Sequence, residues 1–157
     1  MKPDIGITVK HLQKSADLLS VILSDEVTLY MKTRKFHWNV KGESFMEFHK
    51  LFEAQYSELE ESIDSIAERI GKLGENTIGT MQEFSKLALL KERPGEYSGS
   101  RDMVKELLAD HETVIVELRA GIKDSAEKYL DSGTADFLTG LMEQHESAAW
   151  VLRRYLN

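Results

Sequence analysis

Apolar residues recur along this chain at helical spacing, and the Gly- and Pro-free stretches between them mark the helices. The first stretch covers residues 7–41, with Leu12, Leu19, Ile22, Leu23, Val27 and Tyr30 on its apolar side. Gly42 breaks it. The second covers residues 44–70, with Phe45, Phe48, Phe52, Tyr56, Leu59, Ile63, Ile66 and Ile70 in steps of three and four. Gly71 and Gly74 are expected to end it. A short helix is expected over residues 81–90, followed by the loop ERPGEYSGS. The third long helix is expected over residues 101–129, where Gly121 weakens the C-terminal part. The turn DSGT offers Ser132 and Thr134 as N-caps for a fourth long helix carrying Phe137, Leu138, Leu141, Met142, Ala149, Leu152 and Tyr155.

No alternating pattern competes for a strand. Four long amphipathic helices predict an all-α four-helix bundle, with the short extra helix in a crossover between long helices two and three. No internal repeat or linker divides residues 1–157, so one domain is expected. At 157 residues that domain buries roughly 70% of its unfolded surface.

Composition narrows the chemistry. Lys plus Arg number 20 against 27 Asp plus Glu, a net charge of −7. That balance attracts cations and argues against a general nucleic-acid grip. The absence of Cys removes disulfides, thiolate catalysis and iron–sulfur clusters. No apolar run reaches the ~18 residues of a membrane span. The segment MKPDIGITVKHLQKS has no signal-peptide core, which predicts a cytoplasmic protein.

Five residues around the second helix carry metal-ligand chemistry: His37, His49, Glu53, Asp64 and Glu68. His49 and Glu53 are i,i+4 neighbours, and so are Asp64 and Glu68. Eleven residues separate Glu53 from Asp64, which returns them to nearly the same face. One stripe of one helix therefore holds both pairs, whereas an ordinary solvated acidic face would need no histidine. The pairs cannot share one ion within a chain. At ~1.5 Å rise they lie roughly 16 Å apart, and ligand bonds are about 2 Å. Either they serve separate sites, or two copies of the helix pack antiparallel about an axis near Glu58 and Leu59, so that each pair meets the other chain's. His37, just before the break at Gly42, can close a site beside His49. Di-iron sites inside a bundle use Glu-x-x-His motifs. The residues three before each His are Thr8, Arg34, Met46, Leu108 and Met142, none of them Glu. His11, His111 and His145 lie on separate helices without a partner motif, and the six Met are scattered as core filler.

The segment HWNVKGESFMEFHKLFEAQYSELEESIDSIAERI, residues 37–70, resembles the signature of the Dps family, the mini-ferritins of starved bacterial cells. The His-Trp pair, the following Gly, the second His, the acidic residue four later and the D-x-x-x-E-R ending agree in order and spacing. Residues 133–156 resemble the family's last helix, and the likeness runs through essentially the whole chain. It implies a ferritin-like bundle and a hollow dodecamer with ferroxidase centres at twofold interfaces. His37, His49 and Glu53 would come from one subunit, and Asp64 and Glu68 from its mate. The centre would bind two irons, with zinc or manganese able to take their place. Hydrogen peroxide, or more slowly oxygen, would oxidise iron(II) to iron(III) for storage, protecting the cell from oxidative damage. Trp38 stands where the family keeps an aromatic beside the centre, with a buried packing role as the alternative. Asp110 and Glu117, seven apart on one face, fit the acidic lining of threefold pores. Glu53 stands where many relatives carry Asp. A basic DNA-binding tail is missing: the N-terminus offers only Lys2, Lys10 and Lys14, and Arg153 and Arg154 suit a helix C-terminus. DNA binding is therefore not expected, and DNA compaction is the alternative function.

Overall fold

The computed structural model describes residues 2–157 and contains five helices: α1 (Val9–Asn39), α2 (Phe45–Lys72), α3 (Met81–Leu87), α4 (Ser100–Glu127) and α5 (Ser132–Arg154). The four long helices form the bundle. Short connections join α1 to α2 and α4 to α5, and each of these pairs packs along its length. The crossover from α2 to α4 carries α3, which lies on α1. Contact between α2 and α5 is sparse. The core is a continuous stack of apolar side chains including Leu12, Leu19, Ile22, Phe52, Ile66, Met103, Leu107, Leu118 and Leu138.

The helix ends follow local chemistry. Thr8 caps α1 by accepting the His11 N–H. Gly71 does not end α2, as its sequence suggested. The stop is Gly74, at φ +79°, in a Schellman turn: Glu75 N–H donates to the Ile70 carbonyl and Gly74 N–H to that of Gly71. A side chain at Gly74 would also strike Pro3, its Cβ coming within 2.4 Å of the proline Cδ. The short helix ends at Leu87, earlier than expected, and the chain extends so that Leu90 N–H reaches Asp25 Oδ1 at 2.8 Å. Gly121 does not fray α4. Leu18 of α1 and Leu138 of α5 pack over it, where an added Cβ would sit 3.3–3.4 Å from their methyls.

The cap of α5 is Asp131, not Ser132 or Thr134. Its carboxylate accepts from Thr134 N–H at 2.9 Å and from the Thr134 hydroxyl at 2.5 Å, and Arg69 of α2 donates to it at 3.1 Å. Burial opposes the charged form, but the Thr134 bonds and the Arg69 guanidinium hold this carboxyl below its usual range.

Candidate metal centre

The break between α1 and α2 builds the site. Gly42 at φ +95° and Ser44 at φ +58° reverse the chain within residues 40–44, so the last turn of α1 meets the first turns of α2. His37 and His49 thereby stack, with ring centroids 3.7 Å apart and planes at 19°. His37 Nδ1 lies 2.8 Å from the His49 carbonyl, and His49 Nδ1 lies 3.0 Å from the His37 carbonyl. A carbonyl oxygen only accepts, so each Nδ1 carries the proton. In the neutral imidazole each Nε2 then keeps its lone pair, the form that binds a metal.

Glu53 follows one turn after His49 and is exposed. Tyr56 sets its ring edge-on to His37 at 5.2 Å, and Phe45 flanks His49 at 5.1 Å. Asp64 and Glu68 lie further along the exposed face of α2, with Glu68 paired to Lys72 at 3.3 Å. Among the described residues, no three His, Asp or Glu side chains converge on a point that could hold a metal ion. Within one chain the five residues therefore fall into two separate groups: His37, His49 and Glu53 at one end, Asp64 and Glu68 at the other.

Trp38 is 58% exposed and meets the Arg34 guanidinium at 5.2 Å, so it is not a buried packing residue. Asp110 and Glu117 do share a face, but it turns toward α1. Asp110 pairs with the buried Lys32 at 2.5 Å, and burial pushes its carboxyl up against that pull. Glu117 sits beside Asp25 and Glu26; burial, its hydrogen bond with Asp25 and their charges raise its pKa to about 8. Within one chain, neither is a free surface carboxylate.

Two histidines read from sequence as solitary prove to be partners. His111 of α4 and His145 of α5 are buried, their Nδ1 atoms 2.9 Å apart, and His145 Nε2 lies 2.6 Å from Glu26 Oε1. The signal was present. His111 shares the stripe of Leu107, Val114 and Leu118, and His145 that of Leu138, Leu141, Ala149 and Leu152.

A family model for the ferritin-like domain matches residues 16–157. A DNA protection during starvation protein of Bacillus anthracis is 36% identical over 142 residues, covering 90% of this chain and 95% of its own. The chain belongs to the Dps family of ferritin-like proteins. Its similarity extends to an uncharacterized low temperature-induced protein of Nostoc sp., 45% identical over 153 residues, or 98% of this chain and 86% of that one. The crystal structure of the Dps protein of Vibrio cholerae, a member of a broad superfamily of ferritin-like diiron-carboxylate proteins, superposes with a TM-score of 0.93 at 28% identity. It covers 99% of this Dps chain and 97% of its own. No helix among the described residues is long and apolar enough to cross a membrane.

Proposed function

We propose that this Dps protein is a ferroxidase and iron store. It takes iron(II) as substrate at sites shared between subunits, oxidises it with hydrogen peroxide or oxygen, and keeps the iron(III) inside a hollow cytoplasmic dodecamer. The observation that carries this reading is the locked His37–His49 pair. It presents two Nε2 lone pairs beside the exposed Glu53, while Asp64 and Glu68 stay open on the same helix. An antiparallel α2–α2 contact about a twofold axis brings each half-site to the other and makes two complete sites.

Each residue then has a task. His37 and His49 are neutral nitrogen donors, oriented by backbone carbonyls instead of mobile side chains. Glu53, Asp64 and Glu68 are the hard, anionic donors that favour iron(III) over iron(II). Zinc and manganese suit the same donor set and would compete. Trp38, beside His37, serves as a site-adjacent aromatic. Two iron(II), one hydrogen peroxide and two waters give two FeO(OH) and four protons. Pairing the irons delivers both electrons to peroxide together, so no hydroxyl radical is released. Sequestering iron(III) as an insoluble mineral and consuming peroxide together account for protection from oxidative damage.

The test is anaerobic addition of iron(II) followed by stoichiometric peroxide, then size-exclusion chromatography. Iron(III) is expected to co-elute with protein near twelve times 17.9 kDa. Iron precipitating outside the protein, or protein eluting as a small oligomer, overturns the reading.

A further inference from the structure

Away from the α2 surface, the bundle interior holds a second set of titratable side chains. Asp25 and Glu26 come from α1, His111 and Glu117 from α4, and His145 from α5. Asp25 and Glu26 are fully buried, and each histidine is 2% exposed. Glu26, His145 and His111 form a continuous chain through contacts of 2.6 Å and 2.9 Å. At its far end His111 Nε2 is buried without a partner. It borders a cavity of about 10 Å³, room for one water. Gln55 of α2, also buried, lines that cavity and leaves both its amide oxygen and its amide nitrogen unpartnered. Glu58, Ser62 and Gln144 complete the polar part of the wall.

We propose that Glu26, His145 and His111 form a proton-binding relay, filled and emptied through a water bound between His111 and Gln55. Two Nδ1 atoms at 2.9 Å must share one proton, because two N–H groups would clash and two lone pairs would repel. In the unloaded state Glu26 accepts the His145 Nε2–H. His145 Nδ1 accepts the His111 Nδ1–H, and His111 Nε2 accepts from the water. Loading moves two protons by one bond each. The water gives a proton to His111 Nε2 and takes one back from bulk solvent, and the His111 Nδ1 proton passes to His145 Nδ1. His145 becomes an imidazolium against the Glu26 carboxylate, while His111 ends neutral with its hydrogen on Nε2. The net change is one proton gained and one charge placed beside Glu26.

The surroundings fit both states. Gln55 offers an acceptor and a donor, so the water finds a partner whichever way His111 Nε2 is set. Burial and the His145 charge push the His111 pKa well below its ordinary value, which keeps the charge off His111. The other groups facing the relay are Asp25 from α1, Glu117 from α4 and Glu58 at the α2 rim of the cavity. Glu117 is uncharged at neutral pH, so it does not compete with Glu26 for the imidazolium. A metal in place of the proton does not suit this geometry: the imidazoles spend their Nδ1 positions on each other, and no three donors converge among the described residues.

Histidine-labelled ¹⁵N NMR of the intact wild-type protein tests this without any variant. At pH 8, His111 is expected as the Nδ1–H tautomer and His145 as Nε2–H. On acidification His145 is expected to become imidazolium while His111 switches to Nε2–H and stays neutral. His111 found as Nε2–H at pH 8, or charging at the same pH as His145, overturns the relay. A high-resolution crystal structure at neutral pH is expected to show one water within hydrogen-bond reach of His111 Nε2 and Gln55; an empty cavity overturns the water site. Gln55→Leu is expected to empty the water site and abolish the switch of His111 to Nε2–H on acidification. A tautomer switch that is unchanged in Gln55→Leu overturns the water-fed relay.

Discussion

His37 and His49 each donate their Nδ1–H to the other's backbone carbonyl, at 2.8 Å and 3.0 Å. Two side chains twelve residues apart thus clamp the helix break between them and fix each other's tautomer in one step. The clamp is structural, while its product, a pair of parallel Nε2 lone pairs, is chemical. A substitution here therefore touches both the α1–α2 corner and the proposed metal donors, and the cleaner test of the proposed site lies at Asp64 and Glu68.

The double variant Asp64→Ala/Glu68→Ala is expected to lose rapid iron oxidation and keep its fold, with stability within about 0.5 kcal/mol of wild type, since both residues are exposed. A shared site makes a further demand. If this variant is unfolded and refolded with an equal amount of His37→Ala/His49→Ala, half the dimers are mixed, and each mixed dimer holds one intact site of two. Oxidation is expected to recover to about a quarter of wild type. Stopped-flow absorbance measures it. No recovery, in protein that has demonstrably exchanged subunits, means that the five ligands do not meet across an interface.

The Asp131 cap predicts a stability effect remote from the metal chemistry. Asp131→Ala removes the acceptor for Thr134 N–H and leaves Arg69 without its carboxylate, at a position only 1% exposed. The loss is expected to be roughly 2–4 kcal/mol, a cap plus a largely buried ion pair. The Asp131 pKa is depressed in the fold, so its contribution is complete above the unfolded value near 3.8 and disappears as pH falls through the folded value. Wild type and variant are expected to converge in thermal midpoint at strongly acid pH and to differ most near neutrality.

The net charge of −7 and the engaged N-terminal lysines predict no DNA retardation in a gel at neutral pH and low salt. Lys2 bonds to the Gly74 carbonyl and pairs with Glu75, Lys14 lies near Asp17, and Lys10 is on α1. Counterion release needs several unpaired cations per contact. A shifted DNA band under these conditions would favour the DNA-compacting alternative.

Helical periodicity was enough to read the bundle, and the i,i+4 spacing enough to place His49 with Glu53 and Asp64 with Glu68 on α2, because both are local properties of one helix. The features that were not legible are those set between helices. Spacing put Asp110 and Glu117 on one face, but only the α1 contact shows that this face turns inward, to Lys32 and Asp25. Gly121 read as a weakness because the sequence does not reveal Leu18 and Leu138 packed over it. His145 sat on an apolar stripe in plain view. Its partners Glu26 and His111 come from segments 119 and 34 residues away, and no local pattern joins them.

Glu117 gives a pH dependence of opposite sign to that of Asp131. Its carboxyl is pushed to about 8, against an ordinary value near 4.5, first by burial and then by Asp25 and Glu26. Between those two values the folded protein holds a proton that the unfolded chain has released. Stability from this group is therefore fully present below about 4.5 and is lost as pH rises toward 8. Glu117→Gln keeps the shape and an N–H donor toward Asp25 but cannot ionise, so it removes the loss. One pKa unit corresponds to about 1.4 kcal/mol, and partial solvent contact tempers the full shift, so the variant is expected to gain on wild type by about 1 kcal/mol or more across this window. Thermal midpoints of both proteins at half-unit steps from pH 5 to 8.5 provide the measurement. A constant difference across that range would mean that Glu117 is ionised in the folded protein and that the Asp25–Glu117 pair does not share a proton.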